Sequence, residues 1–287
     1  SKEGIMHIAM AYLEAGDVTL IPNPGYPTYQ AACSLAGATV QAYELTEANG
    51  WLPDLDALDK QDLSKVKIMW VNYPHMPTGA KADLAFFTKL RDFAIRHSIL
   101  LVNDNPYSFI LNENPISLLA VPGMKDVAIE LNSLSKSHNM AGWRIGAAFG
   151  RPELLAPVLK FKSNMDSGMF LPLQEAAVKA LSADADWFAR QNEIYKSRQK
   201  KVFELLDLLD CVYDSAQTGM FVWARIPESM ESGYTLSDQV LDENAVFITP
   251  GGIFGSQGNR YVRISLCAQE VVFQTAIDRI KNHSNGI

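Results

Sequence analysis

The chain has 287 residues, 48% of them apolar and 20% charged, with a formal net charge of -7. This is the composition of an ordinary globular protein too long for one small core, so two domains are expected. No apolar run approaches the roughly 20 residues of a membrane-spanning helix. No Lys/Arg-rich block offers a footprint for nucleic acid either, which leaves small molecules as the expected partners.

The chain opens on an amphipathic helix, with Ile5, Ile8, Ala9, Tyr12 and Leu13 at helical spacing ahead of Gly16. A short strand over Val18 to Ile21 leads into a turn-rich stretch from Pro22 to Pro27, and a helix from about Thr28 to Leu35 ends at Gly37. Further strands are expected at Ala38 to Tyr43, Lys67 to Val71, Ile99 to Val102, Val127 to Leu131 and Ile145 to Phe149, with a helix from Ala82 to His97. Alternation of this kind predicts a mostly parallel α/β sheet covered by helices on both faces. Beyond Gly150 helices dominate: Glu153 to Ser163, Leu173 to Leu181, and a long charged one from Asp186 to about Leu209. The remainder mixes strands (Met220 to Arg225, Ala245 to Thr249, Tyr261 to Ser265) with helices near Ser237 to Glu243 and Gln269 to Asn282. The boundary is expected near residue 190, with a large domain over 1–190 and a small α+β domain over 191–287. Cys33, Cys211 and Cys267 show no paired spacing and read as small, buried, reduced thiols of a cytoplasmic protein. Lys200 and Lys201 read as a solvated helix face.

Open α/β sheets bind ligands beyond the carboxyl ends of their strands. Four loops fall there. Asn103-Asp104-Asn105-Pro106-Tyr107 places Asp104 and Tyr107 at one strand end, and Asn132-Ser133-Leu134-Ser135-Lys136-Ser137 places Ser133, Ser135 and Lys136 at the next. The other two run from Asn72 to Gly79 and from Pro22 to Tyr29. A carboxylate, a lysine, hydroxyls and an aromatic ring in one crevice suit pyridoxal 5'-phosphate, which is at once an aldehyde, a pyridine and a phosphate. Lys136 fits the Schiff-base lysine and Asp104 the partner of the ring nitrogen. Ser133, Arg144 and the backbone N–H groups of the helix opening at Ser1 and Lys2 can serve the phosphate, and Tyr26 can stack on the ring. Taken singly, each has a plainer reading: a surface lysine, a turn cap, a core-edge tyrosine, a helix cap at Ser1. The histidines show no metal-ligand spacing, and the glycines at 251, 252, 255 and 258 do not follow a nucleotide-loop pattern.

The stretch Ser133-Leu-Ser-Lys136-Ser-His-Asn-Met-Ala-Gly-Trp-Arg144-Ile-Gly, with its arginine eight residues after the lysine, resembles the Schiff-base lysine segment of the class I/II aminotransferases of fold type I. Ser1 to Ile5 resembles the family's phosphate-binding helix start, and Pro24-Gly25-Tyr26-Pro27 its ring-stacking loop. Asp104 to Tyr107 resembles the segment with the ring-nitrogen aspartate and the tyrosine that donates to the cofactor's phenolic oxygen. Tyr261 to Ser265 resembles the strand whose arginine, here Arg263, clamps the substrate carboxylate. Sequence alone also allows Arg263 a surface ion pair, but its planar fork suits a carboxylate. The resemblance covers essentially the whole chain. It implies transfer of an amino group between an L-amino acid and a 2-oxo acid, and a homodimer with active sites near the subunit interface.

Two departures stand out. Where the family reads Asn-Pro-Thr-Gly, with the asparagine bonded to the phenolic oxygen, this chain has Met76, and a thioether cannot donate that bond. His75 or a water is the nearest alternative donor. The chain also opens without the strand and arm that the family carries ahead of the phosphate-binding helix, so it reads as truncated. Two rival functions share these features: another enzyme of the same fold (a β-lyase, a decarboxylase or a cyclising synthase), and an aminotransferase-like ligand sensor attached to a DNA-binding domain.

Overall fold

A computed structural model describes residues 1–284. Its larger sheet holds strands β1 (Val18–Asn23), β2 (Thr39–Glu44), β3 (Val66–Val71), β4 (Leu100–Asp104), β5 (Ala128–Ser133) and β6 (Gly146–Phe149), in the spatial order β2-β1-β3-β4-β5-β6. All neighbours run parallel except β6, which pairs antiparallel with β5. The sheet is buried on both faces, and the two-residue period of β3 shows how. Ile68 and Trp70 point into one cluster with Ile5, Ile8, Tyr29 and Val102, whereas Met69 and Val71 point into the other with Leu20, Phe87, Leu90 and Leu101.

The first cluster is roofed by helices α1 (Lys2–Tyr12) and α2 (Pro27–Leu35) and by a helix that follows β6; the second by the short α3 (Leu55–Leu58) and by α4 (Leu84–His97). Helix α4 shows why such segments form. Asp83 caps it, accepting from the Phe86 N–H at 2.7 Å; Phe87, Leu90, Phe93 and Ala94 recur at helical spacing on its buried face; Ser98 ends it in the left-handed conformation. Full burial of Phe87, Leu90 and Phe93 contributes about 1.5–3 kcal/mol each.

A one-turn helix α5 (Leu134–Ser137) follows β5, and α6 (Pro152–Ser163), α7 (Leu171–Leu181) and α8 (Ala185–Leu208) follow β6. The second sheet is antiparallel, in the order β7-β8-β10-β9, with β7 (Val212–Tyr213), β8 (Phe221–Arg225), β9 (Thr249–Pro250) and β10 (Tyr261–Ser265). Helices α9 (Gly233–Asn244) and α10 (Glu270–Ser284) pack on it, together with Val202, Leu205 and Leu206 of α8.

The mostly parallel α/β architecture agrees with the sequence reading. Differences are local. The strand expected over Ala245 to Thr249 pairs only at Thr249 and Pro250, because Ala245 has φ 52° and closes α9 instead. Helix α9 starts four residues earlier than expected, where Ser232 caps it by accepting from Thr235 N–H. The two-residue β7 and four-residue α3 are too short to carry a period. Cys267 is exposed, unlike Cys33 and Cys211. Lys201 is not simply solvated; it bonds Gln274 at 2.7 Å and pairs with Glu204. Among the described residues no helix is long and apolar enough to cross a membrane.

Candidate active site

Strand order reverses direction of growth at β1, between β2 and β3, which is where open sheets leave a crevice beyond their carboxyl ends. A cavity of about 170 Å³ opens there. Its walls come from all four expected loops: Tyr26 after β1, Met76 after β3, Asp104 and Tyr107 at the end of β4, and Ser133, Ser135 and Lys136 at the end of β5. Ser1, Lys2 and Arg144 complete it. A cleft of about 280 Å³ on the far side of the Tyr73–Pro74 loop is larger, but Lys81 and Asp83 are its only charged lining groups, so the convergent chemistry lies in the smaller cavity.

Asp104 is buried and asymmetrically served. Its Oδ2 accepts from the Tyr29 hydroxyl at 3.1 Å, while Oδ1 is buried without a partner. Burial pushes this carboxyl above its usual range, and the terminal ammonium of Ser1, a hydrogen bond from Ser1 and then the Tyr29 bond work against that shift. The β4 end is fixed by Asn72, which donates from Nδ2 to the Asp104 carbonyl and accepts at Oδ1 from the Met76 N–H at 2.8 Å. Asn72 lines the cavity with its amide oxygen and one of its two N–H groups engaged. Tyr107 packs edge-on to Phe221, and burial raises its phenol above the ordinary tyrosine range.

Ser133 ends β5 and caps α5, accepting from the Ser135 N–H at 3.2 Å. Lys136 projects from this single turn, half-buried, and among the described residues its amine has no hydrogen-bond or ion-pair partner. Arg144 adopts φ 56° and bonds the Ala141 carbonyl with Nη1, leaving the rest of its guanidinium exposed.

Arg263 does not line this cavity, but it touches a wall of it. From β10 its guanidinium lies between the rings of Phe221 and Phe254, 4.1 and 4.4 Å from their centroids, with Nη1 3.3 Å from the Met76 sulfur. Nε is buried without a partner, and among the described residues no carboxylate pairs with the group. Burial, opposed by Tyr107 and Cys267, pulls its pKa down to about 10, which still leaves it a cation at neutral pH. The aromatic faces contribute roughly 0.5–2 kcal/mol each but satisfy no N–H. Phe254 also bonds the loop that follows β1, accepting from Gly25 N–H at 2.8 Å. Gly255 is required beside it: φ is +133°, and a Cβ there would sit 2.0 Å from Asn23 Oδ1.

The family called aminotransferase class I and II matches residues 1–280. The chain belongs to the class I and II aminotransferases. It is 41% identical over 288 residues to the LL-diaminopimelate aminotransferase of Aquifex aeolicus, covering 98% of this chain and 73% of that protein. The enzyme of the same name from Dehalococcoides mccartyi strain CBDB1 is 39% identical over 288 residues, covering all of this chain and 74% of its own length. The solved structure of apo-BacF from Bacillus subtilis superposes with a TM-score of 0.93 at 38% identity, over 98% of this chain and 76% of that one. The protein is thus a pyridoxal-phosphate-dependent aminotransferase of fold type I that moves an amino group between an amino acid and a 2-oxo acid.

The aminotransferase cofactor fits the groups present. A buried carboxylate oxygen without a donor needs a cation or an N–H aimed at it, and a protonated pyridine nitrogen is both. Ser1 Oγ, also buried without a partner, faces the end where hydroxyls, Lys2 and Arg144 gather. Three features escaped the sequence reading. Tyr29 follows Tyr26 by three residues in α2 and reads as core. Asn72 is one polar residue in a turn-rich run. The aromatic sandwich on Arg263 joins it to Phe254, nine positions away, and to Phe221 on the neighbouring strand. His75, the alternative donor beside Met76, does not reach the cavity: it is buried, with Nδ1 2.8 Å from Thr78 Oγ1.

Proposed function

We propose that the amino donor is LL-diaminopimelate and the acceptor 2-oxoglutarate, with Lys136 as the residue that carries the cofactor. The donor rests on the names of the A. aeolicus and D. mccartyi relatives at 39–41% identity. The role of Lys136 rests on one observation: an unpartnered amine and the unpartnered Oδ1 of Asp104 line one cavity at the ends of adjacent strands.

In this reading the bound cofactor supplies an aldehyde carbon for imine exchange and a cationic ring that holds the electron pair released at the substrate Cα. Asp104 would keep the ring nitrogen protonated, Tyr107 would donate to the phenolic oxygen, Tyr26 would stack on the ring, and Ser1, Lys2, Ser133, Ser135 and Arg144 would hold the phosphate. As a free amine, Lys136 would take the proton from the substrate Cα and return one in the reverse half-reaction. Arg263 grips the α-carboxylate, which satisfies the N–H groups that Phe221, Phe254 and Met76 leave unbonded. Among the described residues its cation has no carboxylate of its own to give up.

The reading extends to a cytoplasmic homodimer, with a large domain over 1–190 and a small one over 191–287. Helix α7 buries none of its residues, and Phe170, Leu171, Val178 and Leu181 are all more than 60% exposed. Apolar exposure on that scale favours a covered face in the assembly.

The test is a donor panel assayed with 2-oxoglutarate: LL-diaminopimelate, aspartate, alanine and phenylalanine. Glutamate formation fastest from LL-diaminopimelate supports the assignment. Ammonia release without glutamate indicates a lyase instead.

A further inference from the structure

Helix α8 grips three parts of the site at once. Its Asn192 accepts from the Leu111 N–H at 2.8 Å and donates to the Phe109 carbonyl at 3.1 Å, holding the loop that descends from Asp104 and Tyr107. Its Arg198 donates to the Leu266 carbonyl at 2.9 Å, just past the strand that carries Arg263. Its first turns hold the lysine segment: the His138 ring stacks on Trp187, with centroids 5.4 Å apart. Asn139 donates to Gln191 Oε1 at 2.6 Å and accepts from the Tyr195 hydroxyl at 3.1 Å.

Asn139 is the informative contact. It sits three residues past Lys136 at φ 54°, a conformation that costs an ordinary side chain about 1 kcal/mol and that asparagine tolerates better than most. Its own N–H closes the turn onto the Lys136 carbonyl at 3.5 Å, and α5 has only four residues, too few to be a cooperative helix by itself. The lysine amine has no side-chain partner. Backbone geometry is therefore what aims it, and that geometry is set from outside the segment. Tyr195 is buried in the small-sheet core beside Val202 and Val222, so the direction of the amine is referenced to the same core that carries Arg263.

We propose that Asn139 and Tyr195 are positioning residues that hold the Lys136 amine in register with the Arg263 guanidinium. The proposal rests on the reading of Lys136 given above. A misaimed amine transfers its proton poorly while the substrate still binds. Losing either bond should thus slow the single-turnover half-reaction about threefold to tenfold, the span of one hydrogen bond, with the KM for the amino donor unchanged.

The experiment compares Tyr195→Phe, which deletes only a hydroxyl, with Asn139→Gly, which keeps the backbone conformation, and with Asn139→Asp, which keeps the acceptor for Tyr195. Two quantities are read: the half-reaction rate, and the pH midpoint of the protein-bound cofactor's absorbance, which follows the lysine's environment and not turnover. Expected are slower half-reactions and displaced midpoints in Tyr195→Phe and Asn139→Gly, no further loss when the two are combined, and partial recovery in Asn139→Asp. Wild-type rates and midpoints in both single variants would overturn the positioning role, as would losses that simply add. Lys136→Ala is the control. If it keeps a borohydride-trapped cofactor, the assignment of Lys136 fails and this proposal falls with it; if it loses the cofactor while the other variants match wild type, only the positioning role fails.

Discussion

Tyr29 holds one oxygen of Asp104 through a 3.1 Å hydrogen bond and leaves the other free inside the cavity. The bond favours the ionised carboxylate, so its removal drives the already raised pKa of Asp104 higher and weakens the carboxylate as a partner for a cationic ring. Tyr29→Phe should loosen cofactor binding by roughly threefold to tenfold, one net hydrogen bond of about 0.5–1.5 kcal/mol. A cofactor titration followed by absorbance or fluorescence measures this, and an unchanged Kd would make Tyr29 a packing residue only.

Arg263 is charged and half-buried, its Nε is buried without a partner, and among the described residues no carboxylate pairs with it. Arg263→Ala should cost about 1.5–3 kcal/mol in kcat/KM for every amino donor. Arg263→Lys should recover little, because an ammonium cannot fill the flat slot between Phe221 and Phe254 or grip a carboxylate with two parallel N–H groups. Steady-state kinetics on two unrelated donors separate a general carboxylate clamp from a side-chain selector.

Met76 lines the cavity where the family carries asparagine, and His75 does not substitute for it, being buried away from the cavity. With Tyr107 the main donor left, the phenolic oxygen stays more basic and retains the neighbouring proton to higher pH. Met76→Asn should lower the pH midpoint of the bound cofactor's absorbance by about one unit or less. Superimposable titration curves would refute this account of the position.

His75 carries a pH dependence of its own. Burial lowers its folded-state pKa from 6.5 to about 3. Between those values the unfolded chain binds a proton that the folded chain does not, so stability rises with pH through the window and is lost as pH falls from 6.5 toward 3. The slope is at most about 1.4 kcal/mol per pH unit for one proton. Chemical denaturation of the cofactor-free protein from pH 7 to 4 should show a steeper fall in wild type than in His75→Gln. Parallel curves would mean that His75 protonates without unfolding cost.

The sequence made the sheet legible because β3, β4 and β5 are short apolar runs each followed by a polar turn, and the site legible because those turns carry Asp104 and Lys136. Other features depend on contacts that no local pattern encodes. Asp104 gains its second contact from Tyr29, 75 residues away. Arg263 meets Met76 across 187 residues. Ala245 reads as the start of a strand by composition, yet the end of α9 claims it in a left-handed turn. Fold followed from periodicity, whereas the electrostatic setting of each cavity-lining group followed from which loops the topology brought together.

Glu130 provides a contrast between stability and catalysis. It is buried in β5 and accepts from Asn103 Nδ2 at 2.9 Å, Ser117 Oγ at 2.8 Å and Leu118 N–H at 3.0 Å, away from the cavity walls. Glu130→Ala leaves those donors unpaired and should cost about 2–4 kcal/mol of folding free energy, with kcat/KM of the folded fraction near wild type. Denaturant midpoints and kinetics on one preparation test both halves.

The most direct test of the central claim is chemical. The cofactor-loaded protein is reduced with borohydride, digested and mapped by mass spectrometry, beside Lys136→Ala treated in the same way. The account predicts a phosphopyridoxyl group on the peptide that contains Lys136 and none on the variant. The same group on another lysine, or its retention in Lys136→Ala, would contradict it.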